Sequence, residues 1–142
     1  MSFDSNIKIG VLGGGQLGRM MIQSAIDFNL NVHSLDPDAN APCKSIATSF
    51  THGPLTDYDT VMAFGADKDL LTIEIEIVNT QALKDLKAQG KRVFPQPEAI
   101  ELIQNKLEQK KFYEANGIPT SPFIEVADKA GVANLKDKLP FV

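Results

Sequence analysis

The sequence predicts an α/β protein built on a parallel sheet with helices on both faces. Three observations carry that expectation. A short apolar strand, Ile9 to Leu12, breaks at Gly13, Gly14 and Gly15, and a helical pattern resumes from Gln16. Further apolar runs of strand length then alternate with stretches of helical period, the order expected of crossover-linked parallel strands. Turn-formers punctuate the joins: Asp36-Pro37, Gly90 and Pro95.

Composition bounds the function. The 142 residues are about one domain's worth, 43% hydrophobic and 23% charged, as in ordinary globular proteins. A net charge of −4 argues against a nucleic-acid partner, which usually meets a basic face. No apolar run approaches the roughly 18 residues of a membrane span, so no membrane partner is expected. The N-terminus lacks the basic flank and apolar core of a signal peptide, and Cys43 stands alone, so a cytoplasmic location is expected. His33, His52 and Cys43 show no metal-ligand spacing, so no metal site is expected in this stretch.

Taken in order, residues 16–29 read as the first helix. Leu17, Met20, Met21, Ser24, Ala25 and Phe28 recur at steps of three and four and are expected to face the sheet. Val32 to Leu35 is a second strand, ended by Asp36-Pro37-Asp38. A short helix is expected over 41–47 and a weak strand over 48–51. Thr56 reads as an N-cap, supported by Asp59, for a helix over 57–64. Leu70 to Ile77 is the clearest later strand, with Leu71, Ile73, Ile75 and Ile77 alternating with Thr72, Glu74 and Glu76. Asn79 or Thr80 caps a helix over 81–89, and Gly90 suits the position beyond its end. A strand over 92–94 precedes one long helix, Glu98 to Asn116, with Ile100, Ile103 and Leu107 on one stripe and Pro97 at its start. Strands are expected over 123–126 and from Leu139, with a polar helix over 128–138.

The glycines carry the chemistry. Gly13, Gly15 and Gly18 fit the G-x-G-x-x-G spacing of a Rossmann-type first crossover, and Asp36 lies about 20 residues on. Gly15 would let a ligand approach the backbone, and the first helix amides, from Gln16, would face an anion. Asp36, at the carboxyl end of its strand, is placed to accept from ribose hydroxyls or to form an Asp-Pro turn. Glu74 and Glu76, two apart on the strand over 70–77, point to one face, a solvated one if the strand lies at an edge and a covered one if it lies mid-sheet. Near a carboxyl end they would look into a ligand cleft and suit a substrate bearing an amine.

Together the motifs resemble one family, N5-carboxyaminoimidazole ribonucleotide synthetase of purine biosynthesis. The matching segments are G-V-L-G-G-G-Q-L-G-R-M-M at 10–21, L-D-P-D-A-N-A-P-C at 35–43 and L-T-I-E-I-E at 71–76. F-P-Q-P-E-A-I at 94–100, I-Q-N-K-L-E-Q-K-K-F at 103–112 and N-G-I-P-T at 116–120 complete the set. The resemblance implies a Rossmann-like pre-ATP-grasp domain over 1–100, a linker helix and turn over 101–120, and the start of an ATP-grasp domain over 121–142. Family members run well beyond this length, so the chain is expected to be the N-terminal portion of a ligase and inactive alone. No catalytic residue is expected within it.

The implied reaction carboxylates the amine of 5-aminoimidazole ribonucleotide, with ATP, Mg2+ and bicarbonate as the other requirements. A homodimer is implied for the full-length enzyme. By resemblance, Gln16 and Leu17 match positions that hold the ribonucleotide, with Gly15, through the amides of the turn. Glu74 matches a position that binds the substrate amine, and Lys106 one that reaches ATP phosphates. Glu76 is expected to share the amine site or support it. The competing reading is an NAD(P)-binding domain of an oxidoreductase or a nucleotide-sensing module. The lysine-bearing helix followed by N-G-I-P-T disfavours it.

Overall fold

A computed structural model describes residues 6–133 and 135. The chain divides into two units, residues 1–104 and 105–142.

The first unit is a parallel sheet of five strands in the order β3-β2-β1-β4-β5. The strands are β1 (Lys8–Leu12), β2 (Asn31–Asp36), β3 (Ser49–His52), β4 (Leu70–Ile73) and β5 (Arg92–Val93). Helices α1 (Gln16–Asp27), α2 (Tyr58–Gly65), α3 (Thr80–Ala88) and α4 (Pro97–Gln104) connect or follow them, with a 3-10 turn at Pro42–Ser45. The expected fold class is therefore present. Strand parity divides the core. Leu12, Leu35 and Leu71 pack with Val61, Phe64, Leu83, Leu86 and Ile100 on one face. Val11 and Val32 pack with Ile22, Ala25 and Cys43 on the other.

Helix α1 corrects the sequence reading. Leu17, Met20, Met21 and Phe28 are exposed, at 68%, 60%, 39% and 65%, and do not face the sheet. The buried stripe is Gly18, Ile22 and Ala25. Gly18 stands on that stripe because α1 lies close to the 3-10 turn there: a Cβ added to Gly18 would stand 3.1 Å from Cys43 Sγ.

The strand expected over 70–77 ends at Ile73. Glu74 and Glu76 follow it in a bend. Ile75 and Ile77 are exposed while Glu74 and Glu76 are half-buried, the inverse of the expected alternation. The bend is held from α4, where Gln104 Nε2 donates to the carbonyls of Glu76 (2.7 Å) and Val78 (2.9 Å). The helix α2 cap is Asp57 and not Thr56: Asp57 Oδ2 accepts from Thr60 N at 2.8 Å. Asn79 caps α3, accepting from Ala82 N at 2.9 Å, and Gly90 beyond its end has φ 93°. The Phe94–Pro95 peptide is cis.

The helix expected over 98–116 is two helices, α4 and α5 (Lys106–Ala115). Asn105 breaks it, because its side chain caps α5 by accepting from Leu107 N (3.1 Å) and Glu108 N (3.2 Å). In the second unit, Lys110 Nζ donates to Thr120 Oγ1 at 2.6 Å and Ser121 Oγ at 2.7 Å, tying the segment after Gly117 back to α5. Residues 123–126 are not a strand, having no strand partner among the described residues. Part of the helix expected over 128–138 is present as α6 (Lys129–Ala133). The strand expected from Leu139 lies outside the described residues.

Candidate functional site

The sheet order places β1 between β2 and β4, whose chains leave in opposite directions along the sheet. That is the switch point where open α/β sheets bind ligands beyond the strand ends. Leu12, the last residue of β1, is in register with Leu35 on one side and Ile73 on the other. The glycine turn therefore emerges between Asp36 and Glu74. Backbone bonds fix it on both sides: Gly13 N donates to Leu35 O at 2.9 Å, and Glu74 N donates to Leu12 O at 2.8 Å.

Asp36 holds the turn itself. Its Oδ2 accepts from Gly14 N at 2.6 Å and its Oδ1 from Asp38 N at 2.7 Å. One oxygen thus secures the glycine turn and the other closes the Asp-Pro turn. From below, Cys43 N donates to Gly14 O at 2.9 Å, and Arg19 Nη1 donates to Pro42 O at 3.0 Å and Ser45 Oγ at 3.1 Å. These bonds clamp the 3-10 turn against the start of α1. Sequence reasoning passed over Cys43, Arg19 and Gln104 as parts of the site. The Ala-Pro-Cys segment was the signal for the first, since a Pro-led turn near a glycine loop offers amides for its carbonyls. Burial foremost raises the Cys43 thiol's pKa, opposed by its hydrogen bond with Ser34 and reinforced by the Glu74 and Asp36 charges. The thiol stays protonated and packs as a small apolar group.

Glu74 lies across the turn. A Cβ added to Gly13 would stand 2.7 Å from Glu74 Oε2, and one added to Gly15 would stand 2.7 Å from Oε1. The bare glycines thus make the seat for this carboxylate. Its parity carries it there: Thr72 pairs with Val11, and Glu74, two residues on, projects to the same face. Gly15 is the N-cap of α1, with extended backbone and no side-chain cap. No acidic residue stands in the first turn of α1. The first amides of a helix have no intrahelical partner, and no side chain caps those that open α1.

The expected site residues divide as follows. Gly15, Gln16, Asp36 and Glu74 gather at the strand ends. Leu17 stands next in α1 with its side chain exposed. Glu76 lies in the bend after β4, where its carbonyl accepts from Gln104. Lys106 begins α5 in the second unit. It lines a shallow groove of about 410 Å³ with Leu107, Lys110, Phe123, Ile124, Glu125 and Val126. Lys111 bridges to Glu125 at 3.1 Å, and that hydrogen bond raises the Lys111 pKa. Among the described residues no group of three or more His, Cys, Asp or Glu could hold a metal ion. No helix among them is long and apolar enough to cross a membrane.

Known proteins share this fold. The family model for the ribonucleotide synthetase preATP-grasp domain matches residues 6–104. The chain is 35% identical to N5-carboxyaminoimidazole ribonucleotide synthase of Staphylococcus aureus, with 100% of this chain and 39% of that protein covered. It is 39% identical to phosphoribosylaminoimidazole carboxylase of Candida glabrata over 83% of this chain and 21% of that one. Among solved structures, carboxyaminoimidazole ribonucleotide synthase of Aspergillus clavatus, complexed with ATP, superposes with TM-score 0.84 at 36% identity, covering 96% of this chain and 36% of that one. The synthase of the same organism in complex with ADP and 5-aminoimidazole ribonucleotide gives 0.82 at 36% identity, covering 96% and 37%. The chain therefore spans between 21% and 39% of the length of these curated relatives. A family model covering most of the chain and a sheet order with the glycine turn at its switch point lead to one conclusion: this chain belongs to the ribonucleotide synthetase preATP-grasp domain family.

Proposed function

We propose that the chain is the substrate-binding part of an ATP-dependent carbon–nitrogen ligase that carboxylates the amine of 5-aminoimidazole ribonucleotide. The observation that carries this reading is the Glu74 carboxylate lying over Gly13 and Gly15 at the switch point. A carboxylate accepts hydrogen bonds only, so it selects a ligand group that donates them, such as an amine. The amides of Gly15, Gln16 and Leu17, at the opening of α1, would hold a ribose or base oxygen. Asp36 supports them through Gly14, and a direct contact with a ribose hydroxyl uses its remaining lone pairs. Glu76 follows in the same bend and is assigned to share the amine site or support it. The relatives' substrates support the reading: one solved relative holds ADP with 5-aminoimidazole ribonucleotide.

The reading extends to the second unit. Lys106 is assigned to ATP phosphates as a point charge, and ATP is the co-substrate with bicarbonate. Magnesium would accompany ATP, and none of the described residues is assigned to hold it. The chain's own share of the work is to bind and orient: Glu74 takes the amine's N–H and turns the nitrogen lone pair toward the carbon it attacks. The domain limits expected from the sequence stand here as part of the reading: pre-ATP-grasp over 1–100, linker over 101–120, ATP-grasp from 121. A cytoplasmic, homodimeric enzyme that takes no nucleic acid completes it.

Calorimetric titration of the chain with 5-aminoimidazole ribonucleotide tests this. Saturable binding at micromolar to millimolar ligand is expected. A flat titration with folded protein would rule the reading out.

A further inference from the structure

We infer that Glu74 determines the ligand class of the glycine turn by charge exclusion, keeping phosphate groups off the amides that open α1. The turn has the spacing of a dinucleotide site, Gly13, Gly15 and Gly18. In such sites the bare second glycine is room for a pyrophosphate. Here that room is filled. Glu74 Oε1 stands 2.7 Å from where a Cβ of Gly15 would be, and Oε2 the same distance from that of Gly13. One carboxylate oxygen therefore covers Gly15, the position that a pyrophosphate would approach, and the other covers the tight-turn glycine beside it.

Charge decides the outcome. The start of α1 offers about half an elementary positive charge. Glu74 sets a full negative charge beside it, and among the described residues no lysine or arginine pairs with that carboxylate. At a half-buried position a second anion a few ångströms away meets strong repulsion. The other element of a dinucleotide site is already engaged at two bonds, which leaves only its remaining lone pairs to a ribose hydroxyl. Asp36, at the sequence position of the ribose-binding acid, accepts from Gly14 N and Asp38 N. The site thus favours a ligand that meets the turn with N–H or O–H groups and carries any phosphate elsewhere. This inference concerns the same site as the reading above, but it needs only the placement of Glu74.

The experiment is an amide NMR titration of the chain, its Glu74→Gln variant and its Glu74→Ala variant. The probes are inorganic pyrophosphate and, separately, NAD. In the wild type the amides of Gly15, Gln16, Leu17 and Gly18 are expected to stay unmoved at millimolar probe. Both variants should show saturable shifts there, with affinity at least about 10-fold above the wild-type limit, the amides of Leu12, Leu35 and Leu71 reporting an intact sheet. Saturable wild-type shifts would overturn the inference. So would folded variants as unresponsive as the wild type, and one folded variant is enough to decide. Pyrophosphate binding to the wild type would leave the ligase reading standing. Absence of aminoimidazole ribonucleotide binding would sink that reading and leave the exclusion intact.

Discussion

Asp36 Oδ2 accepts the backbone amide of Gly14 at 2.6 Å, joining residues 22 apart in sequence at the mouth of the sheet. Gly13 is tied to Leu35 and Gly14 to Cys43 by backbone bonds, so this side-chain bond completes the anchoring of the turn. A hydrogen bond to a charged acceptor contributes roughly 1.5–3 kcal/mol. Asp36→Ala is expected to lose about that much stability in urea denaturation. A loss below about 0.5 kcal/mol, the range of ordinary surface changes, would show that the turn is held without it.

Gly13 and Gly90 separate backbone strain from crowding. Both have positive φ, 104° and 93°, where an L side chain is strained. A Cβ on Gly90 would meet nothing within 4 Å, whereas one on Gly13 would meet Glu74 at 2.7 Å. Gly90→Ala should cost the backbone term alone, about 1–2 kcal/mol. Gly13→Ala should cost more and should also displace Glu74. Equal losses in thermal denaturation would contradict the seating of Glu74 on the turn.

Helix α1 offers a test of which face is buried. Ile22 is 2% exposed and Met20 60%. Ile22→Ala should cost about 2–5 kcal/mol, and Met20→Ala within about 0.5 kcal/mol. Chemical denaturation of the two variants gives the comparison. The reverse order would return the helix to the orientation that its large apolar residues suggest.

That helix also shows where sequence reasoning runs out. The glycine turn, its strand and the parallel order were legible, because glycine spacing and strand-length apolar runs state local geometry directly. The buried face of α1 was not, because packing distance decides it: Gly18 and Ala25 let the helix lie close with Ile22 buried on the same stripe, while Leu17, Met20, Met21 and Phe28 stay outside. Glu74 was legible by parity, but Glu76 was not, since the chain leaves the strand at Ile73 under the hold of Gln104. A bond from 28 residues away has no local signature. The break at Asn105 did have one, in a residue that prefers caps to helix interiors. The anchoring role of Asp36 was equally hidden, because an acid after a strand reads the same whether it faces a ligand or an amide.

His33 predicts a pH dependence. It lies on β2 in register with Gly10, its Nδ1 is 2.7 Å from Ser49 Oγ, and its Nε2 is buried without a partner among the described residues. Burial foremost lowers its pKa below the ordinary 6.5, with the Lys68 and Lys8 charges adding and Asp67 opposing. The folded state therefore binds this proton less readily than the unfolded state does. Above about pH 6.5 neither state carries it and nothing is lost. As pH falls below that value the unfolded state is protonated first, and stability declines until the folded pKa is passed. His33→Asn should flatten the decline between pH 7 and about pH 5 in denaturation curves. An unchanged slope would assign the decline to other groups.

The central claim is that Glu74 reads a ligand amine at the glycine turn. The direct measurement compares 5-aminoimidazole ribonucleotide with the imidazole ribonucleotide lacking that amine, on the chain and on Glu74→Ala, by calorimetry. One charge-assisted bond of roughly 1.5–3 kcal/mol corresponds to about a 10- to 100-fold preference. The wild type should prefer the amine-bearing ligand by that factor, and Glu74→Ala should bind the two alike. A folded Glu74→Ala that keeps the full preference would contradict the account.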